Sequence, residues 1–419
     1  MGKGISISVI AIVVVAILGA ALYSYQNFNV GKITEPAKEI QLPKQPETQK
    51  TPTNVPKSEP YSKQPSEQFG ASGCVGKGTV NFTSPPRLLE DIEIIQPIGL
   101  INANSGHVTP TDHGYYYPPN WKPQDNPSEF KDVLSPADGT ITTIQLVANR
   151  QGDYRLIIHH TCTFYTIYIH VKELSPKIAQ AAGEFTSMTK NTNIPVKAGE
   201  VIGRANSFDF SVNNDEITLP GFVFPEHYNG EPWKVHTDDM FAYFVEPIKS
   251  QLLSKNMRTA EPLGGKIDYD IDGRLVGNWF KQNTNWYAGI RNPDGSYWQG
   301  HLTIVPDALD PTHVIFATGD FGGESKQFGI KGNPNPATVS KSSGIIKYEL
   351  VTYDYYITSG QPWNHHSLAQ NLKAKNNDND VHGFVLLQLM DDRKLKVEVF
   401  PGKTASEVTE FTNSIVYER

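Results

Sequence analysis

Residues 156–171 read LIIHHTCTFYTIYIHV, which puts His159, His160 and His170 and one of only two cysteines inside an apolar, β-branched run. Imidazoles in such a run serve either chemistry or the packing of a buried strand pair. Strand alternation places Thr166, Tyr168 and His170 on one face. If that face lines a groove, His170 is positioned to act as a general base or to polarise a carbonyl. His159 points the other way from His160 and reads as structural. Other clusters carry less. VHTDDMF at 235–241 reads as a helix cap, NNDND at 376–380 as an exposed turn, and His365 and His366 as loop residues open to solvent. No phosphate loop, dinucleotide fingerprint or G-x-S-x-G is present.

Three segments around this stretch follow one another: SPADGTITTI (135–144), TIYIH (166–170) and VKAGEVIG (196–203). Together they resemble the lysostaphin-type (LytM-like) murein endopeptidases, with the barrel-sandwich hybrid fold those enzymes share with lipoyl and biotinyl modules. Strands of that family carry P-A-D-G-T-V, then a hairpin with H-G-x-G-x-x-T-x-Y-x-H, then V-K-x-G-x-x-I-G. His160 takes the first hairpin position here, with Thr166, Tyr168 and His170 at matching spacing. The resemblance covers about residues 100–215. Gly139 and Gly199 fall where tight turns favour glycine.

The resemblance implies zinc held by the His and Asp of H-x-x-x-D and by the second His of an H-x-H strand. Three such ligands leave a position for an attacking water. In GHVTPTDHGYY, His107 and Asp112 stand one residue too far apart for that motif, and Asp112 and His113 are alternatives. Aligning SFDFSV on Phe210 puts Ser207 and Asp209 at the two H-x-H positions, so one imidazole is missing. The candidate metal ligands are therefore His107, Asp112, His113 and Asp209, with His170 as the catalytic residue. Loss of H-x-H favours a degenerate relative whose groove binds without cutting, active in cell-envelope binding or maintenance. The alternative is an active zinc endopeptidase that cleaves cell-wall or surface peptide cross-links.

These elements must be carried somewhere. Ile5–Leu22 is an uncharged apolar run with aromatics after it. At about 1.5 Å per residue it spans roughly 27 Å, near the hydrocarbon thickness of a bilayer. A transmembrane anchor over 5–24, with residues 1–4 in the cytoplasm, is expected. The alternative is a cleaved signal and a secreted product. Either way the remainder is exported, which permits a disulfide between Cys74 and Cys162 and makes Asn81, in NFT, a glycosylation acceptor. Residues 25–73 are rich in Pro, Lys, Glu, Gln and Thr and poor in large aliphatics, the composition of a disordered stalk.

The rest of the 419-residue chain is mainly β by pattern. Short strand-like runs separated by turn residues fill 74–258, the endopeptidase-like region, which closes on a helical segment, EPIKSQLLSKNM. A second β domain follows over 259–419, either barrel or sandwich; GNWF (277–280) is reminiscent of lipocalin-like barrels, where the Trp plugs one end and a small ligand can be held. Its tryptophans read as packing, or as stacking surfaces for sugar rings. A net charge of −7 without a basic block excludes nucleic acid as a partner. The expected partners are the membrane, through the N-terminal helix, and a cell-wall or surface polymer or glycoprotein.

Overall fold

The computed structural model describes residues 69–290 and 296–419. The expected anchor and nearly all of the expected stalk lie outside the described residues. Among the described residues no helix is long and apolar enough to cross a membrane. The architecture is mainly β, with short helices.

The first half contributes β1 (Ile94–Gln96), β2 (Gly114–Tyr117), β3 (Lys131–Leu134), β4 (Gly139–Leu146), β5 (Tyr154–His159) and β6 (Phe164–Val171). It continues with β7 (Glu173–Leu174), β8 (Thr189–Val196), β9 (Val201–Ala205), β10 (Phe208–Asn214) and β11 (Thr237–Asp238). An eight-stranded sheet runs β1-β2-β10-β6-β5-β4-β8, with β11 added on β10, and a smaller sheet runs β3-β9-β7. Helix α1 (Pro176–Ala182) lies between β7 and β8, and α2 (Ile248–Leu253) ends this half. The core lies between the sheets, where Tyr116, Ile158, Tyr168, Phe208, Phe210 and Ile202 are fully or almost fully buried. β-Branched and aromatic residues dominate these strands, as a pleated surface buried on both sides requires.

The second half is a closed eight-stranded barrel: β12 (Gly277–Lys281), β13 (His301–Pro306), β14 (Val314–Thr318), β15 (Lys326–Ile330), β16 (Ile346–Tyr356), β17 (Lys373–Leu389), β18 (Lys394–Pro401) and β19 (Ile415–Glu418). Each strand pairs with its chain neighbour and β19 returns to β12, so the choice between barrel and sandwich resolves to a barrel. Its interior is filled by a cluster that includes Trp279, Phe316, Leu350, Leu387 and Tyr417. The expected turn at 376–380 is instead part of β17, where Asn376 accepts from His313 Nε2 at 2.8 Å.

Trp279 is buried in the barrel's core cluster. Its indole Nε1 donates to the Leu275 carbonyl at 2.9 Å, and the Arg419 guanidinium lies 3.8 Å from its ring centroid. Arg419 is 5% exposed, and it donates to Asp270 Oδ1 and to the carbonyls of Val276 and Arg274.

Apolar clusters join the halves. Ile98, Phe222 and Tyr228 pack with Phe280 and Tyr287, while Ile101, Ala103 and Val108 pack with Val276, Val305 and Ile315. Gly106, at φ 90°, is needed here: a Cβ there would sit 2.9 Å from the Trp298 ring. Gly199 has the positive φ expected of it (76°). Gly139 does not; it is required because a Cβ would meet the His159 carbonyl at 2.8 Å.

Candidate functional site

Three strands of the large sheet build the site. β10 turns Phe208, Phe210 and Val212 into the core and Asp209 and Ser211 to the other face. β2 likewise buries Tyr116 in the core and begins directly after His113. On β6 the alternation breaks. Phe164, Tyr168 and Val171 belong to the core, and the register against β5 shifts between Tyr154 and Leu156. His170 sits at this bulge with φ 69°, a left-handed conformation unusual for a non-glycine residue. It therefore leaves the face of Thr166 and Tyr168 and joins Ile167 and Ile169 along a cavity. The expectation of one shared face is corrected by that single extra residue.

The imidazoles and carboxylates form an alternating chain. Asp153 Oδ1 lies 3.0 Å from His170 Nδ1, and Lys172 Nζ donates to Asp153 Oδ2 at 3.1 Å. His170 Nε2 faces Asp209 Oδ2 at 3.8 Å, and His113 Nε2 faces the same oxygen at 3.5 Å. His113 Nδ1 in turn pairs with Asp112 Oδ1 at 3.0 Å. Asp112 thus orients the His113 ring instead of presenting its carboxylate as a ligand. His107 stands beside them, its ring 5.6 Å from that of His113, with Nδ1 hydrogen-bonded to Ser105 Oγ at 3.1 Å. The structure brings His107, Asp112, His113, Asp209 and His170 to one cavity.

Burial and mutual charge set the protonation states. Burial pushes the Asp209 carboxyl up, against the pull of His113 and His170. Burial would lower His113, but the charge of Asp209 and the hydrogen bond and charge of Asp112 together raise it. Burial opposes ionisation of Asp112 as well, yet Lys234 and His113 hold it well below the ordinary carboxylate range. Burial, with the His113 and Lys234 charges, drives His107 down to about 3, so it is a neutral ring at physiological pH.

The cavity, about 170 Å³, has a roof from the second half: Tyr287, Tyr297 and His301 line it together with the sheet residues. Tyr287 donates to Glu231 Oε2 at 2.9 Å. Lys234, 1% exposed, and the half-buried Arg155 also line it. Asp153, Arg155, Glu231, Lys234 and the roof were not singled out in the sequence. No motif marks them: Arg155 lies on β5 and Asp153 just before it, while Glu231, Lys234 and the roof come from segments further along the chain.

Zinc was tested against this donor set. The paired contacts on Asp209 are short, but among the described residues no three His, Cys, Asp or Glu groups converge to hold an ion. Counting H-x-x-x-D from His113 ends on Tyr117, which is not a carboxylate. The residues do not fit a three-ligand zinc site, and no reaction step is derived through one.

The remaining sequence candidates are structural or peripheral. Cys74 and Cys162 form a disulfide that ties the segment before β1 to the β5–β6 turn. Asn81 is exposed. His160 bridges the Asp138 carbonyl and Thr166 Oγ1, and the buried His159 pairs with Thr142 Oγ1 at 2.7 Å.

No family model matches the chain, and no curated protein matches it. Solved structures similar over part of it include the following two. One, the SpoIIQ–SpoIIIAH pore-forming complex, aligns at 12% identity over 41% of this chain and 96% of that one, with a TM-score of 0.27. The other, a zinc-containing peptidase from Vibrio cholerae, aligns at 17% identity over 32% of this chain, with a TM-score of 0.23. This chain spans only 36% of that peptidase. At these scores neither likeness bears on the chemistry of the site.

Proposed function

We propose that this chain is a membrane-tethered envelope protein whose lysostaphin-type-like first domain binds a surface ligand without cleaving it. The reading takes the N-terminal apolar run as a single-pass anchor, places the β domains outside the cell, and assigns them to binding or maintenance of the envelope. The observation that carries it is the roof. Tyr287, Tyr297 and His301 stand over the face that bears His170, Asp209 and His113, leaving about 170 Å³. His113 and Asp209 are buried on the face beneath it, which argues against a cross-linked polymer lying across them. The test is co-sedimentation of the full-length chain, in detergent micelles, with purified envelope material. Retention of the chain with no release of peptide fragments is expected; fragment release that His170→Ala abolishes would refute it.

One observation favours the second reading, an active metalloendopeptidase. Two imidazole Nε2 atoms approach a single carboxylate oxygen of Asp209. Dialysis of the full chain against zinc followed by metal analysis separates the readings, because a working site would retain about one equivalent.

A further inference from the structure

Lys234 Nζ is deeply buried at the cavity wall, and its hydrogen bond goes to the Pro110 carbonyl at 2.6 Å. An ammonium has three protons to place. Arg155, on the same cavity, donates from Nη1 to Gln145 Oε1 at 3.3 Å and packs its guanidinium 5.9 Å from the centre of the Trp233 ring, while its buried Nε has no hydrogen-bond partner. Among the described residues neither cation makes a contact ion pair. Asp112 and Glu231 line the same cavity and act on Lys234 through space, but Asp112 Oδ1 is hydrogen-bonded to His113 and Glu231 Oε2 to Tyr287, whose ring centre lies 5.3 Å from Lys234 Nζ. Buried donors in native proteins find acceptors. The unplaced N–H groups of Lys234 and Arg155 therefore ask for an acceptor-rich group inside the cavity.

We infer that the cavity roofed by Tyr287 is a binding site for a small carboxylate, either an α-amino acid or the C-terminal residue of a short peptide, with Lys234 and Arg155 as its anion contacts. The size suits one small residue and excludes a longer segment. A way in exists beside His170, whose side chain lines the cavity and is 39% exposed. Trp233 supplies a flat wall and a fluorescent reporter. This inference rests on the binding reading above and gives it a ligand class.

The experiment titrates the full-length chain in detergent micelles with alanine, alanyl-alanine and alaninamide, following tryptophan fluorescence and heat. Saturable binding of at least one of the two acids is expected, with alaninamide, which lacks the carboxylate, weaker by about tenfold or more. Preference between alanine and alanyl-alanine tells a free amino acid from a peptide terminus, and either preference is consistent with the assignment. Arg155→Gln should weaken binding of the acid about tenfold while leaving alaninamide unchanged. Lys234→Met is expected to abolish acid binding; should that chain fail to fold, the comparison of acid with amide still decides. Equal affinity for acid and amide, an unaltered Arg155→Gln titration, or no binding of either acid up to about 10 mM would overturn the inference. Envelope co-sedimentation that persists while carboxylates do not bind overturns the ligand class alone and leaves the binding reading intact.

Discussion

His170 Nδ1 lies 3.0 Å from Asp153 Oδ1, and the same ring turns its Nε2 toward Asp209 Oδ2 at 3.8 Å. An imidazole held by a carboxylate on one side and facing a second on the other has its orientation set by both. Asp153 is 3% exposed and Lys172 shares it. The site's geometry thus depends on a residue outside the strands that resemble a hydrolase.

That arrangement predicts an acid-sensitive contribution to stability. Burial opposes ionisation of Asp153, but the hydrogen bonds and charges of His170 and Lys172 depress its pKa. A depressed carboxyl stabilises the fold above its unfolded pKa, about 3.9, and loses that contribution as pH falls through the folded value. Asp153→Asn should therefore cost about 1–2 kcal/mol at pH 7, and the gap to the parent chain should close as pH falls through the depressed folded value. Urea denaturation at several pH values measures it; a constant gap down to pH 2 would count against the pairing.

The second prediction concerns His113. Asp209 and Asp112 raise its pKa against burial. With Asp209→Asn, the ring's pKa should fall, with Asp112 alone left to oppose burial. Histidine NMR titration of the parent and variant chains reads the shift directly. An unmoved titration would mean that Asp209 does not act on this ring.

The third tests the barrel's closure. Arg419 lies over Trp279, is anchored on the buried Asp270 and donates to two carbonyls. Arg419→Ala strands a buried carboxylate and removes the cover from the indole, at an expected cost of about 3–5 kcal/mol. Arg419→Lys should recover only part, because an ammonium cannot reproduce the fork. Chemical denaturation followed by tryptophan fluorescence provides the ranking.

The fourth concerns the disulfide. Cys74 and Cys162 are 88 residues apart, so the bond restricts a large loop of the unfolded chain. Replacing both with serine should lower stability by about 2–4 kcal/mol. The measurement is the denaturation midpoint of the double variant against the oxidised parent; equal midpoints would show that the bond adds nothing.

Much of the local structure was legible before any coordinates. KLKVEVF alternates polar and apolar residues and becomes β18, with Leu395 and Val397 inside the barrel. GNWF put Trp279 on a strand of a second β domain, and it packs in the barrel core; Arg419, which lies over its ring, is some 140 positions away and carries no motif. The helical segment EPIKSQLLSKNM shortens to Ile248–Leu253.

The site was harder to read for a definite reason. Sequence by itself singled out His107, Asp112, His113, His170 and Asp209 as candidates, with His170 and Asp209 on strand-like runs and the other three in a loop-rich stretch. Tertiary structure decided how they are used. A one-residue bulge moved His170 to the opposite face of β6 from the one its spacing implied. Packing of the barrel then brought Tyr287, Tyr297 and His301 over that face. Alternation along a strand is a local property of period two, whereas a bulge depends on the partner strand and a roof on a separate domain.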